Sequence, residues 1–474
     1  MEVALYFKST LSQTGRMENS TTAAGLEALE LAANRASAYL QSVGSRRVAP
    51  SPSAVADLAR FDEPLPDGPG DVCSVLDVLD RVGSPATVAT AGGRYFGFVN
   101  GAALPVSVAA TWIASAWDQN VALRVMSPAA AALEDVALGW VRDVLGLPSE
   151  CEGSIVTGAS MANFSGLAAA RHALLERSGW DVENHGLFGA PELTVVVGEE
   201  VHASLLKALG LLGLGKERVI RVPADEQGRM RADRMPALDD RSIVCIQAGN
   251  VNTGAFDPAT EICRRAGDAG AWVHVDGAFG LWAAVSPQHR HLTEGFGLAD
   301  SWAADGHKWP NVGYDCGIAM VRNAAALQAA MAISAAYFRP GELREPVNYT
   351  PEMSRRARGV ELWATLRFLG RRGLAELIQR TCRHARRFAE GLRAAGYEIL
   401  NEVVINQVLV SFGEPAVTRT VIAKVQSDGT CWCGGTEWRG RPAMRISVSS
   451  WATSDEDVEI SLAAIRRIAG ECRP

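Results

Sequence analysis

The chain of 474 residues contains no run of about eighteen uninterrupted apolar residues, so no membrane-spanning helix is expected. It lacks a basic excess as well. The 46 Lys and Arg stand against 53 Asp and Glu, a net charge of −7, which argues against a nucleic-acid partner. Basic runs such as Arg355-Arg356 and Arg371-Arg372 are short, as helix faces or ion-pair partners would be. The nine cysteines include one close pair, Cys431-Trp-Cys433, and no spacing resembles a zinc site or a disulfide framework. A reducing cytoplasm and no metal are expected. The opening MEVALYFKSTLSQTGR has neither the apolar stretch nor the cleavage site of a signal peptide. Residues 1–16 read either as a disordered extension before a start at Met17 or as a tail that packs on a partner subunit. No internal repeat is visible. What remains is ordinary globular composition, 48% hydrophobic and 21% charged, at a length that calls for two or three lobes.

Residues 21–42 read as a helix that Thr21 and Thr22 can cap, with Leu26, Leu29, Leu31 and Leu40 on its apolar face. Loops rich in Pro, Gly and Asp then close an N-terminal segment, 1–88. Beyond it, short β-branched runs alternate with helical patterns. Strands are expected at 153–157, 193–197, 218–222, 242–247, 271–276, 301–304 and 317–322. Helices are expected at 161–177, 203–212, 258–269 and 324–333. This is an α/β pattern with a mainly parallel sheet, assigned to a large domain over 89–372. Two long helical patterns follow, at 360–369 and 374–395. Strands at 403–411 and 443–449 and a helix at 458–468 make a small α+β domain, 373–474.

Four motifs carry chemistry. In HVDGAFG, Asp276 falls where a strand ends, the edge at which open α/β sheets bind ligands; by itself it could equally cap a turn. About thirty residues on, DSWAADGHKWPNVGYDCG places Lys308 after the next strand, in a setting of Gly, Trp and Pro that suits no exposed helix face. A strand-end acid followed by a strand-end lysine after one crossover suits a pyridoxal phosphate site. The lysine, made nucleophilic by apolar and cationic neighbours, attaches the cofactor's aldehyde, and the acid keeps the pyridine nitrogen protonated. In TGASMANF, a strand gives way to a helix whose free N–H groups, with the Ser160 hydroxyl, form a phosphate cradle, although any capped helix looks similar. In EEVHASLLKAL, His202 lies between a strand and a helix, where it can stack flat on an aromatic cofactor or serve the fold alone.

The order of these motifs resembles the group II pyridoxal-phosphate-dependent amino acid decarboxylases, which include aromatic amino acid, glutamate and diaminobutyrate decarboxylases. The matching stretches are RYFGFVNG, TGASMANFSGLAAAR, VHASLLKALGLLGLG, GNVNTGAFDP, HVDGAFG, DGHKWPNVGYDCG, SRRARGVELWATLRFLG and MRISVSSWATSDEDV, from about 94 to 457. The resemblance implies an aspartate-aminotransferase-like fold (fold type I) and a homodimer with active sites at the subunit interface. It implies that Lys308 carries the cofactor, that Asp276 holds the pyridinium, and that His202 and Ala278 sandwich the ring. Ala159, Ser160, Asn163 and His307 would hold the phosphate, and Thr253 the ring hydroxyl. Arg445 would approach the substrate carboxylate or else form a buried ion pair. Tyr95, Phe96 and Phe98 fall where the family lines its substrate pocket, which favours an apolar or aromatic side chain; otherwise they pack the lobe.

The sequence departs from the family twice. Many members have Asn-Pro before His-Lys-Trp, where this chain has Asp305-Gly306; a carboxylate near the phosphate is repulsive unless paired or turned away. The loop that carries a catalytic Tyr in the family is short here, AYFRPGELREPVNYTPEMSRR, with Tyr349 the first candidate and Tyr337 the second. The expected reaction is decarboxylation of an L-amino acid to its amine, with Tyr349 or His202 returning the proton. The alternatives are oxidative deamination to an aldehyde, an aminotransferase or carbon–carbon lyase reaction, and a non-catalytic pyridoxal-binding role.

Overall fold

The computed structural model describes residues 25–333 and 343–473. Thr21, Thr22, Met17 and Tyr337 lie outside the described residues. The expected first helix occupies 25–42 within them.

Seven strands form the large sheet: β2 (Glu152–Val156), β3 (Thr194–Gly198), β4 (Ile220–Val222), β5 (Ser242–Gln247), β6 (Trp272–Asp276), β7 (Ser301–Asp305) and β8 (Gly317–Val321). Their order is β2-β8-β7-β6-β5-β3-β4. All pairings are parallel except those of β8, which runs antiparallel to both β2 and β7. Helices cover both faces, so the central strands are buried along nearly their whole length and read as continuous apolar runs. One face packs Val244, Val273, Val275 and Trp302 into the principal core. The other packs Val195, Val197 and Ile243 under the Ala159–Arg177 and Ala203–Leu211 helices. The parallel strands end at one edge of the sheet, and the loops after β2, β3, β6 and β7 open there.

A second, five-stranded sheet has the order β1-β11-β12-β10-β9 and draws four of its strands from the C-terminal part of the chain. Its strands are β1 (Tyr95–Phe96), β9 (Glu398–Ile399), β10 (Gln407–Ser411), β11 (Trp432–Trp438) and β12 (Arg441–Ser447). The strand β1, placed in the large domain by its sequence position, pairs in parallel with β11 through Tyr95–Trp432 and Phe96–Cys433. Phe96 is fully buried there, edge-on to Phe388 at 5.0 Å. The strand expected from 403 begins only at Gln407, because the Asn406 side chain turns aside to donate to Val448 O and Ser449 Oγ. The two expected C-terminal helices merge as Gly359–Ala394, broken at Gly370, whose φ of 59° a side chain would disfavour.

In the arginine run at 355, Arg356 pairs locally, as expected, whereas Arg355 reaches a partner remote in sequence. Arg355 Nη2 lies 2.8 Å from Glu134 Oε1, and both side chains are buried. Arg355 Nη1 also donates to Ile155 O in β2. Arg356 pairs with Glu361 at 2.7 Å, and Arg358 with Asp315 at 2.8 Å. These contacts anchor the segment around residues 355–358. Removing Arg355 leaves the buried Glu134 with only the longer contact to Arg344 Nη1 at 3.6 Å, so Arg355→Met is expected to destabilise by about 3 kcal/mol, the low end for a broken buried pair. Adding Glu134→Leu to it should recover most of the loss in urea unfolding, since the stranded carboxylate is then gone.

Candidate active site

Lys308 lies three residues past the end of β7, and Asp276 is the last residue of β6, the next strand of the sheet. Asp276 is 6% exposed. Its Oδ1 accepts from Ala278 N at 3.3 Å and its Oδ2 from Asn163 Nδ2 at 3.3 Å. Ala278 O in turn accepts Asp305 N–H at 2.9 Å, which fixes the spacing between the two strand ends. Lys308 Nζ is 3.0 Å from Asp305 Oδ2. The expectation of cationic neighbours therefore needs correction: the lysine's direct partner is a carboxylate.

His202 caps the Ala203–Leu211 helix, and its Nδ1 accepts from Ser204 N at 3.2 Å. The ring proton is thus on Nε2, free of the cap. Burial lowers the His202 pKa; Asp276 and Asp305 oppose the shift, while Lys308 and Arg445 reinforce it. Lowering of the pKa favours the neutral ring, although the side chain stands at an exposed position.

The Ala159–Arg177 helix starts directly after β2 at Gly158. Met161 N and Ala162 N bond back to Gly158 O, and Ser160 is exposed at the cleft. Ala159 N–H donates to Asp305 Oδ1 at 2.6 Å. His307 Nδ1 accepts from Cys316 N at 3.2 Å, which leaves its Nε2–H facing Asp305 at 3.6 Å. Burial lowers the His307 pKa. The extra carboxylate of this chain is therefore paired, not turned away: it sits at the first N–H of the cradle between two basic side chains.

Other expected residues stand elsewhere. Asn163 is fully buried, and both ends of its amide are engaged, by Asp276 and by His274 Nε2 at 2.8 Å, so it does not face a phosphate. Thr253 Oγ1 donates to Gln227 O at 2.6 Å and accepts from Ala255 N, so it holds its own loop and does not reach a ring hydroxyl. Tyr349 is buried in the core, its hydroxyl 2.6 Å from Gln328 Nε2 and its ring under Arg344, so it is no mobile acid. Phe96 is core and not pocket wall. Arg445 donates to Asn252 Oδ1 at 3.1 Å, and no carboxylate pairs with it among the described residues.

Tyr95 stacks on Trp432 at 5.2 Å, and Phe98, 59% exposed with φ 53°, tilts against the same ring at 5.5 Å. Trp432 was not foreseen; CWC carries no sign of it. Tyr314 was not foreseen either, although it lies in the lysine motif. Its ring is 4.4 Å from that of His307, and its hydroxyl donates to Asn100 Oδ1 at 2.8 Å.

Residues 59–413 match the family model described as "Pyridoxal-dependent decarboxylase conserved domain". The chain belongs to this family. It is 25% identical over 436 residues to an aromatic-L-amino-acid decarboxylase of Bacillus atrophaeus, covering 87% of this chain and 88% of the relative. It is 27% identical over 360 residues to the 4-hydroxyphenylacetaldehyde synthase of Rhodiola rosea, covering 70% and 72%. A crystal structure of Oryza sativa TDC with PLP and tryptamine superposes with a TM-score of 0.87 at 24% identity, covering 94% of this chain and 97% of that one. The protein is thus a pyridoxal phosphate-dependent amino acid decarboxylase of fold type I. No helix among its described residues is long and apolar enough to cross a membrane.

The site fits the cofactor by its donor set. A buried carboxylate can face the ring nitrogen, His202 and the half-buried Ala278 can flank the ring, and Ser160 with His307 Nε2–H can take phosphate oxygens. A Cβ on Gly158 would crowd His307 Cε1 at 3.2 Å, so the glycine keeps that seat open. Asp305 is the one group of unfavourable sign. Asp305→Asn is expected to hold the cofactor about tenfold more tightly, as removal of a nearby like charge implies. Equilibrium dialysis of the cofactor from wild type and variant measures this; equal or weaker retention by the variant contradicts it.

Proposed function

We propose that the enzyme decarboxylates an L-amino acid with an aromatic or large apolar side chain to the corresponding amine. The observation that carries this reading is the placement of Asp276 at the end of β6 and of Lys308 just past the paired strand β7, its Nζ 3.0 Å from Asp305 Oδ2. When bound, pyridoxal phosphate supplies the electron sink for the pair left by the departing carboxylate. The protein's own groups do the rest. Lys308 Nζ holds the cofactor between turnovers and releases the amine. Asp276 keeps positive charge on the ring nitrogen. Arg445, half-buried and without a carboxylate partner, takes the substrate carboxylate and orients it. With Tyr349 locked in the core, His202 is the remaining expected donor, and it must first take up a proton, as imidazolium, before it gives one to the α-carbon. Phe98, Tyr95 and Trp432 give the side chain an aromatic wall beside His307 and Tyr314.

Oxidative deamination to an aldehyde is the second reading. It is favoured by the burial of Tyr349, which removes the expected acid, and by the aldehyde synthase among the relatives. We also infer a homodimer. Leu26, Leu29, Leu79, Trp112, Ile113 and Trp117 are all exposed on the helices at 25–42, 72–83 and 105–117, an apolar face that water covers poorly. Nine unpaired thiols suit a cytoplasmic setting.

Incubating the loaded enzyme with single amino acids, in air and without oxygen, separates the two reactions. Amine and carbon dioxide under both conditions support decarboxylation, whereas aldehyde that forms only in air supports the second reading. Arg445→Met is expected to raise KM at least about tenfold, the scale of a lost charge-assisted hydrogen bond, and to leave the cofactor's absorbance unchanged. Products from acidic amino acids alone would contradict the aromatic assignment.

A further inference from the structure

A buried chain of hydrogen bonds runs inward from Asp276. Asn163 Nδ2 is 3.3 Å from Asp276 Oδ2, and Asn163 Oδ1 is 2.8 Å from His274 Nε2. His274 Nδ1 is 2.8 Å from Ser301 Oγ, which accepts from Trp272 Nε1 at 2.9 Å. Asn163, His274 and Ser301 are all fully buried. Gly166, one turn beyond Asn163 on the same helix, makes room for the imidazole: a Cβ there would sit 2.8 Å from His274 Cε1.

The polarity of the chain is fixed from both ends. An ionised Asp276 can only accept, so Asn163 must turn its NH₂ toward it and its carbonyl toward His274. His274 must then carry its proton on Nε2, and its bare Nδ1 accepts the Ser301 hydroxyl proton. At the far end the Trp272 N–H can only donate, which leaves the Ser301 hydroxyl hydrogen free to point at His274. Both constraints give the same neutral tautomer. Asp276 is the charge His274 senses, and it opposes a shift that burial carries down to about 4. The paired neighbour of His274 on β5 is Cys245, a thiol whose pKa burial pushes up.

We propose that His274, acting through Asn163, is a positioning residue that holds Asp276 in its ionised, ring-facing state and so sets how fully positive charge stays on the cofactor's ring nitrogen. A donor removed from a buried carboxylate makes it more basic and frees it to rotate. The ring then keeps less positive charge, and the nitrogen joining Lys308 to the cofactor becomes easier to protonate. The pH midpoint of the cofactor's visible band therefore moves up when the chain is cut. This rests on the proposed role of Asp276.

The experiment is a pH titration of that band in the cofactor-loaded enzyme, without substrate. Asp276→Asn is the reference, and its midpoint is expected above that of wild type. His274→Phe, which keeps a ring and removes both hydrogen bonds, is expected to shift the midpoint up by about half a unit or more. His274→Gln, whose amide can again donate to Asn163, should return most of the shift. Ser301→Ala, a mild truncation that serves if the Phe variant fails to fold, should shift it less in the same direction. In an Asp276→Asn background the His274 change should add nothing. A lowered melting temperature with an unmoved midpoint in both His274→Phe and Ser301→Ala overturns the proposal and leaves His274 a packing residue. An unmoved midpoint in Asp276→Asn itself overturns the role of Asp276, and the relay with it.

Discussion

Two carboxylates lie almost wholly out of water at the ends of adjacent strands, Asp276 on β6 and Asp305 on β7. Buried charge is costly unless donors surround it, and the rest of the site is arranged to supply them. The Ala159–Arg177 helix contributes the Ala159 N–H to one and the Asn163 amide to the other. Lys308 completes the set around Asp305. Because β6 and β7 pair in parallel, with Asp276 opposite Ala303, the spacing of the two carboxylates is set by the sheet, and Lys308 is placed by the short turn that follows β7. Such rigid placement is what lets a site hold charges against water.

The small domain closes the arrangement. It supplies Arg445 from β12 and Trp432 from β11, and β1 is drawn across to pair with β11. Asn311 ties the lysine turn to the segment that follows β12. Its buried amide donates to Lys308 O, Trp309 O and Ser449 O, and its carbonyl accepts from Trp451 N. Gly101 passes directly over the Lys308 carbonyl, which a Cβ there would overlap. The FGFVNG segment is therefore a strap over the lysine as well as a wall of the cleft. Phe98 and Val99 both hold positive φ within it, a conformation unusual for bulky residues and found mostly where neighbours over-determine the backbone.

The sheet was legible in the sequence because its strands are buried on both faces. Apolar runs such as SIVCIQ and GIAMV show their length plainly, and two of the strands, β6 and β7, end in the carboxylates of the site. Lys308, Asp276, His202, Ser160 and His307 are local to those strand ends, so their motifs locate them. What escaped depends on distant partners. β1 is two residues long and exists only because β11 receives it. β11 itself, WCGGTEW, is masked by two glycines. Tyr349 is close in sequence to the expected mobile loop, yet Gln328 and Arg344 draw it into the core. Asn163 and Gly166 were readable as one helix face, but only the buried His274 shows what that face is for.

The most direct test of the account is where the cofactor attaches. Borohydride reduction of the loaded enzyme, followed by peptide mapping, fixes the linkage to a residue. The chain offers four other lysines: Lys8, Lys207, Lys216 and Lys424. The account predicts a single labelled peptide carrying Lys308, absent after Lys308→Ala. A label on any of the other four, or one that survives the Lys308→Ala change, would contradict it.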